Sequence, residues 1–169
     1  MTFQVGEKLV YPNQGVATVE NISARSFGGS FESFYLLRLS CSSMTVMVPF
    51  SHVQQIGLRK VTRGGEVTKV LDYLACGTCK CSEDWKRRFK ENSDKMQAGS
   101  LQEIAQVFKS LVMLLQEKPL SFREKKMLER ARQMLIGEVA TVRSVSEAEA
   151  IEILSKALSR ANLKFPEAM

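Results

Sequence analysis

Trp85 is the only tryptophan of the chain and stands in the segment Ser82-Glu83-Asp84-Trp85-Lys86-Arg87-Arg88-Phe89-Lys90. One large aromatic is followed by four cations within five residues. Such a cluster has a definite chemistry. Ammonium and guanidinium groups hold phosphate oxygens, and an indole can wedge between or against bases. Helical spacing puts Trp85, Phe89, Asn92 and Met96 on one side and predicts a partly buried ring. The ring's place in the first turn argues for solvent instead. Lys86, Arg87 and Lys90 fall off that stripe and are expected in water. A second basic cluster, Arg123, Lys125, Lys126, Arg130 and Arg132, shares a predicted helix with the apolar residues Met127, Leu128, Ala131, Met134 and Leu135. Glu124 and Glu129 can offset part of its charge through local pairs. Either cluster alone reads as a solvated helix face, but two in one small domain point to nucleic acid.

Other candidate chemistry is weaker. Cys76, Cys79 and Cys81 form a C-x-x-C-x-C motif, with Cys41 and the single histidine, His52, far away in sequence. Structural zinc requires four ligands, normally from two separated knuckles, and no second knuckle is present. The segment before Cys76 reads as helix, so a strand-to-helix redox pair does not fit. The expected state is a loop of reduced thiols, with no metal site and no cofactor. No carboxylate or nucleophile accompanies His52 in a triad-like pattern, and the nucleotide and zinc-protease motifs are missing. An enzyme with a catalytic site or a small-molecule substrate is therefore not expected.

Positioning these residues falls to two kinds of element. Short strands are predicted at 8–11, 16–22, 33–39, 44–49 and 58–61, with turns at Pro12-Asn13-Gln14-Gly15 and Gly28-Gly29. Five such strands suggest a small curled sheet or barrel. From about residue 62 the pattern turns helical. One helix covers 66–74. Ser82 is the expected N-cap of the next, which stops near Gly99. Capping boxes at Ser100, Ser121 and Ser146 open three more.

The bulk numbers agree. A chain of 169 residues, 44% hydrophobic and 25% charged, is that of a folded protein. It has no apolar run of bilayer length and no signal-peptide pattern at Met1-Thr2-Phe3-Gln4, so a cytoplasmic protein without membrane partners is expected. The net charge of +6 is concentrated. Residues 80–132 hold 13 Lys/Arg against 8 Asp/Glu, whereas residues 143–169 hold four of each.

The opening Phe3-Gln4-Val5-Gly6-Glu7-Lys8-Leu9-Val10-Tyr11-Pro12-Asn13-Gln14-Gly15-Val16 resembles the start of the CarD/CdnL family of bacterial transcription regulators. Trp85 to Lys90, Leu120-Ser121 with Glu124 to Leu128, and Ala131 to Glu138 extend the resemblance in order over nearly the full length. The Val10-Tyr11-Pro12-x-x-Gly15-Val16 opening is shared with the matching module of transcription-repair coupling factor, and the helical half separates the two. The resemblance implies an α+β multidomain chain: a small Tudor/SH3-like β module over 1–62 that docks on the RNA polymerase β subunit, then an all-α helical bundle over 63–169 that binds promoter DNA. By match to the family pattern, Arg25 is a polymerase contact. Met47 stands where some members carry arginine, so an apolar contact would replace a charged one. Trp85 would be an exposed minor-groove wedge at the upstream fork of the melted bubble. Lys86, Arg87, Lys90, Lys125, Lys126 and Arg132 would meet phosphates, largely without regard to sequence. The implied function is stabilisation of the open promoter complex. The alternative is a polymerase adaptor that binds no DNA and uses its helical domain for protein contacts. The cysteine loop has no counterpart in the family pattern.

Overall fold

The computed structural model describes residues 2–40, 42–76 and 83–168. A five-stranded antiparallel sheet comes first, with strands β1 (Lys8–Tyr11), β2 (Gly15–Phe27), β3 (Ser30–Leu39), β4 (Thr45–Pro49) and β5 (Arg59–Lys60) in the spatial order β4-β3-β2-β1-β5. Helices α2 (Gly64–Cys76), α3 (Trp85–Ala98), α4 (Leu101–Glu117), α5 (Phe122–Arg143) and α6 (Glu147–Ser159) build the second part, after a single short helix α1 (Val53–Ile56) inside the β module. A small Tudor-like sheet followed by a helical bundle is thus what the chain forms.

Local chemistry explains the departures from the sequence reading. Strands β2 and β3 are longer than predicted because Gly28 and Gly29 both take positive φ and close a two-residue hairpin, pairing Phe27 with Ser30. Positive φ at both loop residues is the geometry whose twist matches the flanking strands. The register shifts between Val19 and Asn21, a bulge that bends the long hairpin and helps the sheet curl. Inside the curl lie Phe3, Leu9, Val19, Tyr35, Leu37, Val48 and Leu58. The Tyr35 hydroxyl accepts the Phe3 amide N–H at 3.1 Å, so this buried phenol is satisfied. The segment Phe50–Ile56 is a 3-10 turn running into α1, and Phe50 stacks on Tyr35 with centroids 4.2 Å apart.

Helix α4 is the centre of the bundle. Leu101, Ile104, Ala105, Val107, Phe108, Leu111 and Val112 are all buried, and α2, α3 and α5 pack around them. A helix buried on most of its circumference belongs in the middle of a core. The capping boxes at Ser100, Ser121 and Ser146 form as predicted, each hydroxyl accepting the N–H three residues on. Ser82, the cap expected for α3, lies outside the described residues. Asp84 caps that helix, its carboxylate accepting the Lys86 N–H at 3.1 Å.

The two parts meet along β2 and α5. A Cβ at Gly137 would lie 3.7 Å from Val16, and Pro12 sits against both Gly57 and Gly99. Arg59 of β5 fixes the junction. Its guanidinium grips Glu138 of α5 at 2.6 and 3.1 Å and donates to the Gly99 carbonyl at 2.8 and 3.0 Å, while the Thr62 hydroxyl donates to Glu138 at 3.1 Å. Glu138 is fully enclosed, so both charges rely on each other. Removing one partner of a buried pair costs about 3–5 kcal/mol. Glu138→Ala is expected to fall near the lower end, because Arg59 keeps some water. Urea denaturation followed by circular dichroism measures it, and a loss below about 0.5 kcal/mol would contradict the assignment.

Candidate nucleic-acid interface

Helix α3 begins at Trp85 and ends at Gly99, which takes the left-handed conformation that terminates helices. Its buried face is Arg88, Asn92 and Met96, at i, i+4 and i+8. Asn92 and Met96 are the residues periodicity favoured, and Arg88 takes the inward place expected of Phe89. Phe89 is half-buried, and Trp85 is 59% exposed, so the partly buried ring that spacing predicted is not found. Trp85 is the first residue of the helix, at its solvent end, and Arg88 turns inward to meet Glu124.

That contact organises the site. The Arg88 fork donates to Glu124 at 2.9 and 3.2 Å, with side chains only 5% and 8% exposed. Glu124 also accepts the Ser121 hydroxyl at 3.2 Å, so one carboxylate serves the cap of α5 and the partner of α3. Local pairing was expected for Glu124, and the actual partner lies 36 residues away. The first turns of α3 and α5 are thereby joined. Further along, Phe89, Ser93 and Gln97 of α3 and Arg123, Lys126 and Arg130 of α5 line one groove.

The candidate cations divide by what they touch. Lys86 sits 5.7 Å from the Trp85 ring centroid. Arg87 pairs with Glu91 at 3.1 Å on the open surface, a contact of little net strength. Lys90 and Lys125 are exposed and form no ion pair with a described residue. Lys126 lies 4.6 Å over the ring of Phe122, an exposed aromatic that sequence reasoning did not single out. The Ser121 capping box was the available signal, since it puts Phe122 in the first turn at a helix end. Arg132 is different. Half-buried, it donates to the Pro166 carbonyl at 3.1 Å, lies 5.4 Å from the Phe165 ring and pairs with Glu129 at 3.6 Å.

In the β module, Arg25 pairs by Cα with Glu32 and Met47 with Leu36. Period-two alternation puts both on the face opposite Tyr35, Leu37 and Val48. They are two strands and four residue levels apart, roughly 16 Å. Both are exposed, and β4 leaves one backbone edge unpaired at the end of the sheet. Of the cysteine motif, Cys76 is an exposed thiol at the end of α2, while Cys79, Cys81 and Cys41 lie outside the described residues. Among the described residues no group of His, Cys, Asp or Glu is arranged to hold a metal, and no helix is long and apolar enough to cross a membrane.

A β module and a basic helical domain fixed to it describe a class of transcription regulators, and comparison with known proteins agrees. The CarD-like/TRCF RID domain matches residues 3–62, and the CarD C-terminal domain matches residues 69–155. "Putative transcription factor YdeB" of Bacillus subtilis (strain 168) is 34% identical over 145 residues, spanning 86% of this chain and 95% of that one. Two solved structures are similar in the N-terminal part. CdnLNt from Myxococcus xanthus has 39% identity, covers 36% of this chain and 86% of its own, and has a TM-score of 0.32. The 72-residue N-terminal domain of Myxococcus xanthus CarD has 39% identity, covers 35% and 79%, and has a TM-score of 0.31. The chain belongs to the CarD family, a family of transcription regulators rather than of enzymes.

As the only indole, Trp85 reports its own surroundings. Its fluorescence is expected to be red-shifted and readily quenched, more by anionic iodide than by neutral acrylamide, because Lys86, Arg87 and Lys90 concentrate anions there. A blue-shifted emission resistant to both quenchers would refute the exposed ring.

Proposed function

We propose that this protein is a non-enzymatic regulator that docks on the RNA polymerase β subunit through residues 1–62 and holds promoter DNA at the upstream edge of the melted bubble through residues 63–169. It works in the cytoplasm, at the nucleoid with polymerase. Trp85 is the minor-groove wedge. Lys86, Arg87, Lys90, Lys125 and Lys126 face phosphates directly. Arg132 adds its charge from an anchored position against Phe165 and Pro166. Arg25 and Met47 meet polymerase, supported by their shared face and by the open edge of β4 beside Met47.

The observation that carries this reading is an indole in solvent, fixed at a helix start and flanked by cations that no described anion neutralises firmly. An exposed ring of that size serves no purpose in the fold. Against melted DNA it does. A protein that binds the open state better than the closed one shifts the melting equilibrium by that difference and no more. Docking on polymerase raises the local concentration of the helical domain, so weak sequence-independent contacts suffice.

Trp85→Ala is expected to shorten open-complex lifetime by about tenfold, equivalent to ~1.4 kcal/mol, with polymerase binding unchanged. Arg25→Glu should do the reverse, losing polymerase while keeping free DNA binding. Equal loss of both activities in either variant would contradict the division of labour. The double variant Lys90→Gln, Lys125→Gln should reduce the slope of log affinity against log salt by about 2. An unchanged slope would remove these lysines from the interface. No DNA binding by the native protein at low salt would favour the protein adaptor.

A further inference from the structure

Phe122 is 72% exposed at the first position of α5. It does nothing for the helix that carries it, whose start is held by Ser121 and Glu124. The Arg88–Glu124 pair lies one turn from Trp85 on α3 and less than one turn from Phe122 on α5. Both rings therefore stand at the end of the domain where the first turns of α3 and α5 are joined.

The two rings are not equivalent. Lys126 lies over one face of Phe122 at 4.6 Å. A ring with one face covered cannot insert between two bases, which needs both faces, but it can cap a single unpaired base with the other. Around it Arg123, Lys125 and Lys126 are exposed, whereas the nearest carboxylates, Glu124 and Glu129, are taken by Arg88 and Arg132. The edge therefore complements a polyanion. We infer that Phe122 is a second base-contacting ring, stacked on an unpaired base on the single-stranded side of the junction that Trp85 meets. The inference rests on Trp85 facing DNA and adds a second aromatic contact, to a base outside the duplex.

Three synthetic DNAs of equal length test it with the full chain at low salt: a duplex, a fork with unpaired arms and a single strand. The native protein should prefer the fork to the duplex. Phe122→Ala should weaken fork binding by about tenfold while changing duplex affinity by less than about twofold, the size expected for one lost base stack. Phe122→Tyr keeps a stacking face and should bind as the native protein does. Phe122→Leu keeps apolar bulk without a π face and should behave as alanine. Unchanged thermal stability of the three variants is expected from the ring's exposure and keeps the readout on binding. Equal loss on duplex and fork, full binding by Phe122→Leu, or no loss in Phe122→Ala would overturn the inference. So would weakened polymerase association with intact fork binding, which assigns the ring to a protein surface. If Phe122→Ala binds normally while Trp85→Ala weakens the fork, only the second ring fails. If the native protein binds none of the three DNAs, the DNA-facing reading of Trp85 fails with it.

Discussion

Two buried glutamates on one helix hold the molecule in shape. Glu124 and Glu138 are both on α5, fourteen residues or about 21 Å apart along its axis, and on nearly the same face. The first grips Arg88 at the start of α3, and the second grips Arg59 at the end of the sheet. Each pair removes charges from water at a cost of several kcal/mol per ion, which the mutual attraction and extra hydrogen bonds must offset. An apolar pair of equal volume would serve stability as well. Fixed geometry is what such a pair supplies instead: a bidentate fork accepts one distance and one angle. Helix α5 is thus a spacer with a defined anchor at each end, one facing the sheet and one facing the exposed rings.

That spacer bears directly on the proposed mechanism. A wedge delivered by a docking module acts at an effective concentration set by the connection between them. A flexible link spreads the ring over many positions. Here Arg59 reaches Glu138 and the Gly99 carbonyl together, tying β5 to the helix and to the end of α3 in one contact. Pro12 wedged against Gly57 and Gly99 adds a second restraint. With Trp85 held in register with β4 and Arg25, most of the orientational cost of placing the ring is met when the β module docks.

Much of this architecture was legible in the sequence, for identifiable reasons. The Gly28-Gly29 reversal and the boxes at Ser100, Ser121 and Ser146 are local devices, decided by neighbours in the chain; the boxed helices start where expected, and the strands beside the glycines run longer. What escaped was long-range. On α3, Asn92 and Met96 face the core as spacing predicts, but the inward place of Arg88 left no local signal because its partner Glu124 lies 36 positions later. The junction at Arg59 and Glu138, 79 positions apart, left no local signature. Arg132 looked like any other surface cation of α5 until the segment ending in Phe165 and Pro166 folded over it. The α1 segment carried no signal because four helical residues are too few to display a period.

The run from Trp85 to Lys90 illustrates why a charge cluster cannot be read as a uniform patch. Six consecutive residues on a helix sweep more than one full turn, so they must divide between water and core. Arg88 takes the inward position, and only because it is arginine: a lysine there would bring one point donor to a carboxylate that accepts two parallel bonds. Its burial alongside Glu124 withdraws one charge of each sign, so the positive excess of residues 80–132 is undiminished and moves outward to Lys86, Arg87, Lys90 and the exposed face of α5. Trp85, at the first position of the helix, stays outside. At about 25 cal/mol per Å², an indole kept in water forgoes ~2–3 kcal/mol of burial. The large core around α4 tolerates that loss, and the ring retains its apolar surface for whatever covers it on binding. A buried ion pair that is close to neutral for stability therefore leaves the sign of the surface unchanged while joining the first turns of the two helices that carry the exposed Trp85 and Phe122 rings.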